Sequence, residues 1–263
     1  MKSVVVIPTY NEAAALPSLL DAVLETRADV DVLVVDDDSP DGTGRFADEY
    51  AARHPRVSVL HRAGKMGLGS AYRDGFRLAL ERGADAVLEM DADHSHNPKY
   101  LPAFLKRLES DSDVVVGSRY VDGVRVENWP FRRLLLSRFA NYYVNFATGM
   151  PITTITDATS GYRAYRREVI EAIDLSRVRA SGYAFQIEMV YRAWRLGFRV
   201  HEVPITFEEH YLTSSKISRG IILEAIWTTP FLRLTAPRGE RRPDGAALGQ
   251  GTVEKIRTDR PLG

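Results

Sequence analysis

Val30-Asp31-Val32-Leu33-Val34-Val35-Asp36-Asp37-Asp38-Ser39-Pro40-Asp41-Gly42-Thr43 is an apolar, β-branched run that stops abruptly in acids and turn residues. Residues 30–35 read as a buried strand, because an exposed one would alternate with polar side chains. The acids and turn residues end it, and a helix follows with Phe46, Ala47 and Tyr50 on one face. The unit repeats in both directions. Upstream, residues 4–7 form a strand, and Asn11 is the expected cap of a helix whose Leu16, Leu19, Leu20, Val23 and Leu24 share a face. Downstream come a strand over 57–60, a glycine-rich turn from Gly64 to Gly69, and a helix through Ala79. A strand over 86–90 follows, then a helix opened by Asn97-Pro98 with Leu101, Phe104, Leu105 and Leu108 inward, then a strand over 114–116. This rhythm predicts an α/β fold, a mostly parallel sheet with helices on both faces. Ligands of such sheets sit beyond the carboxyl ends of the strands, where the acids fall.

The second half is less regular and reads as α+β. A helix is expected over 131–148, with Leu134, Leu135, Phe139, Tyr142, Tyr143 and Phe146 making one broad face aromatic. Another is expected over 183–196, and a strand over 199–207. Residues 217–234 are apolar but interrupted by Arg219, Glu224 and Arg233. Residues 237–263, rich in Gly, Pro, Arg and Asp, are expected to be a disordered tail.

The 263 residues can bury a real core, near the upper size of one compact domain at roughly 250–300 residues. Thirty-five basic residues cancel thirty-five acidic ones, so no global field points to nucleic acid. The absence of cysteine excludes disulfides and thiolate chemistry and fits a reducing compartment. No run of ~20 apolar residues is present, so no membrane span is expected.

Three stretches carry chemistry. Asp91-Ala92-Asp93 follows the apolar run ending at Met90, and alternate residues of an extended chain point the same way. Both carboxylates can then face one hard divalent cation, Mg²⁺ or Mn²⁺. Asp36 to Asp38, with Asp41, pack four carboxylates into six residues. A cation or ribose hydroxyls would relieve their repulsion, while turn and cap roles account for some of them. Lys65-Met66-Gly67-Leu68-Gly69 opens a helix, where glycine backbone, Lys65 and the helix N-terminus favour phosphate. Its spacing matches neither a Walker loop nor a dinucleotide fingerprint. Arg119, Arg132, Arg133, Arg138, Arg163 and Lys216 are further basic candidates, each by itself an ordinary surface charge. His94 and His96 read as loop residues beside the acids, and Thr159-Ser160-Gly161 is not a nucleophile elbow.

Taken in order, Pro8-Thr9-Tyr10-Asn11-Glu12, the acidic run from Val35 to Thr43, Lys65 to Tyr72 and Met90 to Asp93 resemble inverting nucleotide-sugar glycosyltransferases of the GT-A fold. The likeness is closer to polyprenyl (dolichyl) phosphate mannose synthases. Gly117-Ser118-Arg119-Tyr120, Ser160-Gly161-Tyr162-Arg163, Gly182 to Met189 and Val203-Pro204-Ile205 extend it from about residue 3 to residue 218. The resemblance implies one domain over 1–236, with a nucleotide-sugar half over 1–120 and an acceptor half over 121–236. It implies that Pro8, Tyr10, Glu12, Lys65 and either Asp36 or Asp37 hold the nucleotide. Asp91-Ala92-Asp93 would meet the sugar diphosphate; Asp91 and Asp93 would bind the metal, with Ser95 at a further ligand position. Arg119, Arg133 and Lys216 would meet phosphates, and catalysis would rest on Asp91, Asp93, Arg119 and Arg133. One departure touches the acceptor side. His210 stands where members usually carry an arginine, and Thr213-Ser214-Ser215-Lys216 lacks the usual glycine.

The implied reaction moves mannose from GDP-mannose to a polyprenyl phosphate with inversion. It would occur at the cytoplasmic membrane face, with residues 131–148 and 217–234 as contact faces and a separate membrane protein as a partner. The alternatives are a related inverting transferase using UDP-glucose or another donor or acceptor, and a catalytically silent nucleotide-sugar-binding subunit, which His210 favours.

Overall fold

The computed structural model describes residues 1–178, 180, 182–208 and 219–236. Strands β1 (Ser3–Thr9), β2 (Val30–Asp36), β3 (Val57–His61), β4 (Ala86–Glu89) and β5 (Val114–Ser118) lie where apolar runs predict them. Helices α1 (Leu16–Glu25), α2 (Thr43–Arg53), α3 (Leu68–Glu81) and α4 (Leu101–Ser110) connect them. Beyond them come β6 (Val126–Glu127), α5 (Phe131–Thr148), β7 (Arg163–Arg166), α6 (Arg167–Ile173), α7 (Gly182–Arg195), β8 (Val200–Pro204), β9 (Phe207–Glu208) and α8 (Arg219–Thr235).

The seven-stranded sheet runs β3-β2-β1-β4-β7-β5-β8, and β6 with β9 forms a two-stranded ribbon. Only β7 is antiparallel to its neighbours in the main sheet. Alternation along β1 explains the layers. Val4 and Val6 pack toward α3, while Val5 and Ile7 pack toward α1 and α4. Helices therefore cover both faces, as the βα rhythm requires. Gly75 lets α3 sit close on the sheet: a Cβ there would lie 2.5 Å from Val6 Cγ1 and 3.1 Å from Val35 Cγ2. Thr9 is paired with Asp36 and Val6 with Glu89, so the chain leaves β1, β2 and β4 along one edge.

Four local expectations need correction. Asn11 does not cap α1; it has φ 60°, and the helix begins five residues later. The residues between are held by the β2–α2 loop, with the Glu12 amide donating to Thr43 Oγ1 at 3.0 Å and the Ala13 amide to Asp41 Oδ2 at 3.0 Å. Asn97 does cap, accepting from the Lys99 amide, but what it opens is a 3-10 turn that leads into α4. The strand expected over 199–207 is split, because the chain leaves the sheet after Pro204 to pair β9 with β6. β7 and α6 were not anticipated: β7 is four residues long and has an arginine at each end.

Candidate active site

Three loops meet at the carboxyl edge of β1, β2 and β3. Asp36, almost wholly buried, accepts from Thr9 Oγ1 at 3.0 Å, from the Ser39 amide at 3.1 Å and from Ser39 Oγ at 2.6 Å. Asp37, also buried, pairs with Arg62 at 2.6 Å and accepts from the Met66 amide at 3.2 Å. Burial pushes the Asp37 carboxyl up, against the opposing pull of Arg62 and the Met66 amide. Protein donors thus offset the repulsion among the acids. Asp37 also ties down the turn that carries Lys65. The Lys65 ammonium lies 4.2 Å from the centre of the Tyr10 ring, so the structure brings those two predicted residues together. Pro8 is half-buried at the end of β1, Glu12 is half-buried in the next loop, and Asp38 is exposed.

Asp91 and Asp93 follow β4, but the chain between them turns instead of staying extended. They remain close electrostatic neighbours. Burial raises the Asp91 carboxyl, His96 opposes this, and the charge of Asp93 raises it again. Asp93 Oδ1 accepts from the Ser95 amide at 3.0 Å, which folds Ser95 back beside the acids. His94, at φ 63°, anchors the loop to α1 through Ser18 Oγ at 2.9 Å and the Ala15 carbonyl at 3.1 Å. Two carboxylates and a hydroxyl form a hard-oxygen donor set. Among the described residues no group of three or more His, Cys, Asp or Glu could close around an ion. Such a set fits a divalent cation that keeps water or phosphate oxygens in its shell.

Arg119 is nearly buried, and Asp157 holds it in a fork: Nε to Oδ2 at 2.7 Å and Nη2 to Oδ1 at 2.6 Å. Asp157 in turn is seated by Glu202, which accepts from its amide at 2.8 Å and from the Thr156 amide at 2.9 Å. Burial raises the Asp157 carboxyl, but the charge and hydrogen bonds of Arg119 outweigh it and leave the group below the usual aspartate range. Arg119 and Arg133 share one indole, lying 5.4 Å and 4.3 Å from the Trp129 ring. Trp129 packs edge-on against Phe207 at 5.4 Å, and Phe207 against His96 at 6.4 Å. The two predicted arginines are thereby connected to the Asp91 loop. His210 and Lys216 lie outside the described residues.

The residues not anticipated from sequence are partners of the site, Tyr72, Asp157 and Glu202, whereas His96, read as a loop residue beside the acids, is found there. Asp157 stands 38 positions from Arg119, so no local spacing announces the pair. Glu89 is another. It is fully buried beneath the acids, and burial pushes its carboxyl up to about 8 despite Arg163 nearby.

Acids, a lysine-bearing glycine turn and a pair of arginines thus follow the carboxyl ends of the parallel strands. Residues 4–174 match the glycosyl transferase family 2 model, and the chain belongs to that family. It is 51% identical over 227 residues to the polyprenol monophosphomannose synthase of Mycolicibacterium smegmatis, covering 86% of this chain and 84% of that one. It is 49% identical over 226 residues to the undecaprenyl-phosphate mannosyltransferase of Micrococcus luteus, covering 86% and 91%. The resemblance to polyprenyl-phosphate mannose synthases read from the motifs therefore holds. In fold, the chain is similar to mannosyl-3-phosphoglycerate synthase from Rubrobacter xylanophilus, with TM-score 0.65, 19% identity and coverage of 93% and 78%. It is also similar to mannosyltransferase PcManGT from Pyrobaculum calidifontis, solved with GDP-Man and Mn²⁺, with TM-score 0.55, 18% identity and coverage of 89% and 72%.

Proposed function

We propose that this enzyme transfers mannose from GDP-mannose to a polyprenyl phosphate with inversion at the anomeric carbon. One observation carries the reading: the acids after β4 and the arginine pair on Trp129 are joined through Phe207 and His96. Such a site can receive two anions at once. The names of the curated relatives and the GDP-Man complex of a fold neighbour support the same substrates.

The nucleotide would lie on the loops bearing Pro8, Tyr10, Glu12 and Lys65, with Asp36 and Asp37 shaping that floor. Asp91 and Asp93, with Ser95, would hold Mg²⁺ or Mn²⁺, which supplies several kcal/mol of charge stabilisation to a departing diphosphate. The acceptor oxygen is already anionic near neutral pH and needs little help from a base. What the chain must do is let it approach. Arg119 and Arg133, with Lys216, would offset repulsion between the two phosphates and orient the attacking oxygen. Residues 1–120 then serve the donor and 121–236 the acceptor.

The isoprenoid tail of such an acceptor stays in a bilayer. No helix among the described residues is long and apolar enough to cross one. On α5, Phe131 is 74% exposed, Phe139 68% and Phe146 84%; on α8, Trp227 is 70% and Leu234 83%. The two helices touch, with Tyr143 Oη donating to the Ile226 carbonyl at 2.6 Å. We assign this surface to the membrane face, where a membrane-protein partner could add to the contact.

Thermal-shift titration with GDP-mannose, GDP, UDP-glucose and UDP, each with Mn²⁺, tests the donor. Stabilisation by the guanosine compounds alone is expected, and a preference for UDP would overturn the mannose reading. Radiolabelled mannose should pass to polyprenyl phosphate, and Asp93→Ala should lower turnover by about two to three orders of magnitude. Donor binding without transfer by the wild type would instead mark a silent subunit.

A further inference from the structure

Beside Asp91 lies a group of side chains that the proposed reaction does not use. The Asp91 amide donates to Nδ1 of the buried His96 at 3.0 Å, so that nitrogen carries no hydrogen and the ring proton is on Nε2. Nε2 lies 3.9 Å from Asp91 Oδ2. That is too long for a direct hydrogen bond, so the ring holds Asp91 through its backbone amide and stands beside that oxygen. Tyr72, fully buried on α3, donates its hydroxyl to the other oxygen, Oδ1, at 3.0 Å. The backbone amide and one carboxylate oxygen of Asp91 are thereby hydrogen-bonded by two rings from separate parts of the chain, one of which also stands beside the second oxygen.

The imidazole is itself seated. It stacks on Tyr162 at 4.9 Å between centroids and 16° between planes. Gly161 brings the backbone against it: a Cβ there would sit 3.3 Å from His96 Cε1 and 3.6 Å from Asp91 Oδ2. Beneath them Arg163, fully buried, donates to the carbonyls of Ser160 at 2.7 Å, Ala158 at 2.6 Å and Gln186 at 2.5 Å. The run Ser160 to Arg163 thus has a use that its basic residue alone did not suggest. Its arginine faces inward and fastens the loop on which the imidazole rests.

We propose that His96 and Tyr72 are the positioning residues of Asp91, aiming its carboxylate at the divalent cation, and that residues 160–163 are the seat of His96. This rests on the metal-dependent reading of Asp91 and Asp93. A carboxylate free to rotate would lose affinity for an ion whose shell is only partly supplied by protein, whereas one held from both sides presents its lone pairs in advance.

His96→Phe keeps the stack on Tyr162 and removes both ring nitrogens; Tyr72→Phe removes one hydroxyl. Four readouts decide: Mn²⁺ affinity in the presence of GDP, by electron paramagnetic resonance of the free ion; GDP affinity without metal; metal-free unfolding temperature; and the Mn²⁺ dependence of turnover. Each variant should bind Mn²⁺ about 10-fold more weakly or worse. GDP affinity without metal should stay at the wild-type value, the unfolding temperature should fall by only the few degrees that one lost buried hydrogen bond costs, and excess Mn²⁺ should restore turnover. Mn²⁺ affinity within twofold of wild type in the folded variants overturns the proposal. A parallel fall in metal-free GDP affinity also overturns it, because that marks general damage. If His96→Phe does not fold, Tyr72→Phe decides alone by the same criteria. If the wild type binds no Mn²⁺, the metal reading itself falls; if it binds and the variants match it, only the positioning role does.

Discussion

Asp157 shows how much one buried carboxylate can hold. It faces the guanidinium of Arg119 with both oxygens and accepts from the Arg119 amide at 3.0 Å as well. Removing one partner of a buried pair leaves the other charge without compensation, a loss of about 3–5 kcal/mol. Asp157→Ala should therefore lower unfolding free energy by that order, measured by denaturant titration. Asp157→Asn adds the pH dependence. The folded-state carboxyl sits below its ordinary value, so the unfolded chain takes up the proton first as pH falls. Its contribution is fully present above about pH 3.9 and disappears in more acid solution. The stability gap between wild type and Asp157→Asn should be flat from neutral pH down to about 5 and close below about 4. A gap that instead grows in acid would contradict the assigned direction.

Among the elements, α3 and α5 depend on their surroundings in opposite ways. On α3, replacing Gly75 by Ala would gain up to about 1 kcal/mol of helix propensity. It would also place a methyl 2.5 Å from Val6 Cγ1, where one side must move. Overpacking of that kind costs about 1–3 kcal/mol, so sterics outweigh propensity and Gly75→Ala should melt at a lower temperature. On α5 the prediction concerns binding, because the side chains face outward. Phe139→Asp with Phe146→Asp should leave thermal unfolding nearly unchanged and reduce co-sedimentation with lipid vesicles several-fold. Equal sedimentation of variant and wild type would remove α5 from the membrane face. β1 to β5 were legible as unbroken apolar runs, and α1 to α4 by apolar residues recurring at the helical period, although the starts of α1 and α4 were not. β7 was not, since Arg163 reads as surface charge and is wholly buried. The pair of acids at 91 and 93 was legible from its place after a strand. His96 was legible as a loop residue beside them, but Tyr72 was not, because it lies 19 positions before Asp91 on another element.

At the scale of the whole molecule, the order of strands in space departs from their order along the chain. β4 and β5 do not pair; β7 is inserted between them, with Arg163 in register with Glu89 on one side and Val116 on the other. During synthesis, β1 to β4 can pair as soon as they emerge, yet β4 keeps a bare flank until residues 163–166 arrive. An unpaired strand flank invites association with other chains. The nascent protein thus passes through an interval in which the strand leading to Asp91 and Asp93 is half-zipped. Closing that seam, late and from the far side, bridges the two portions of the sheet and leaves β8 alone to be laid along its margin.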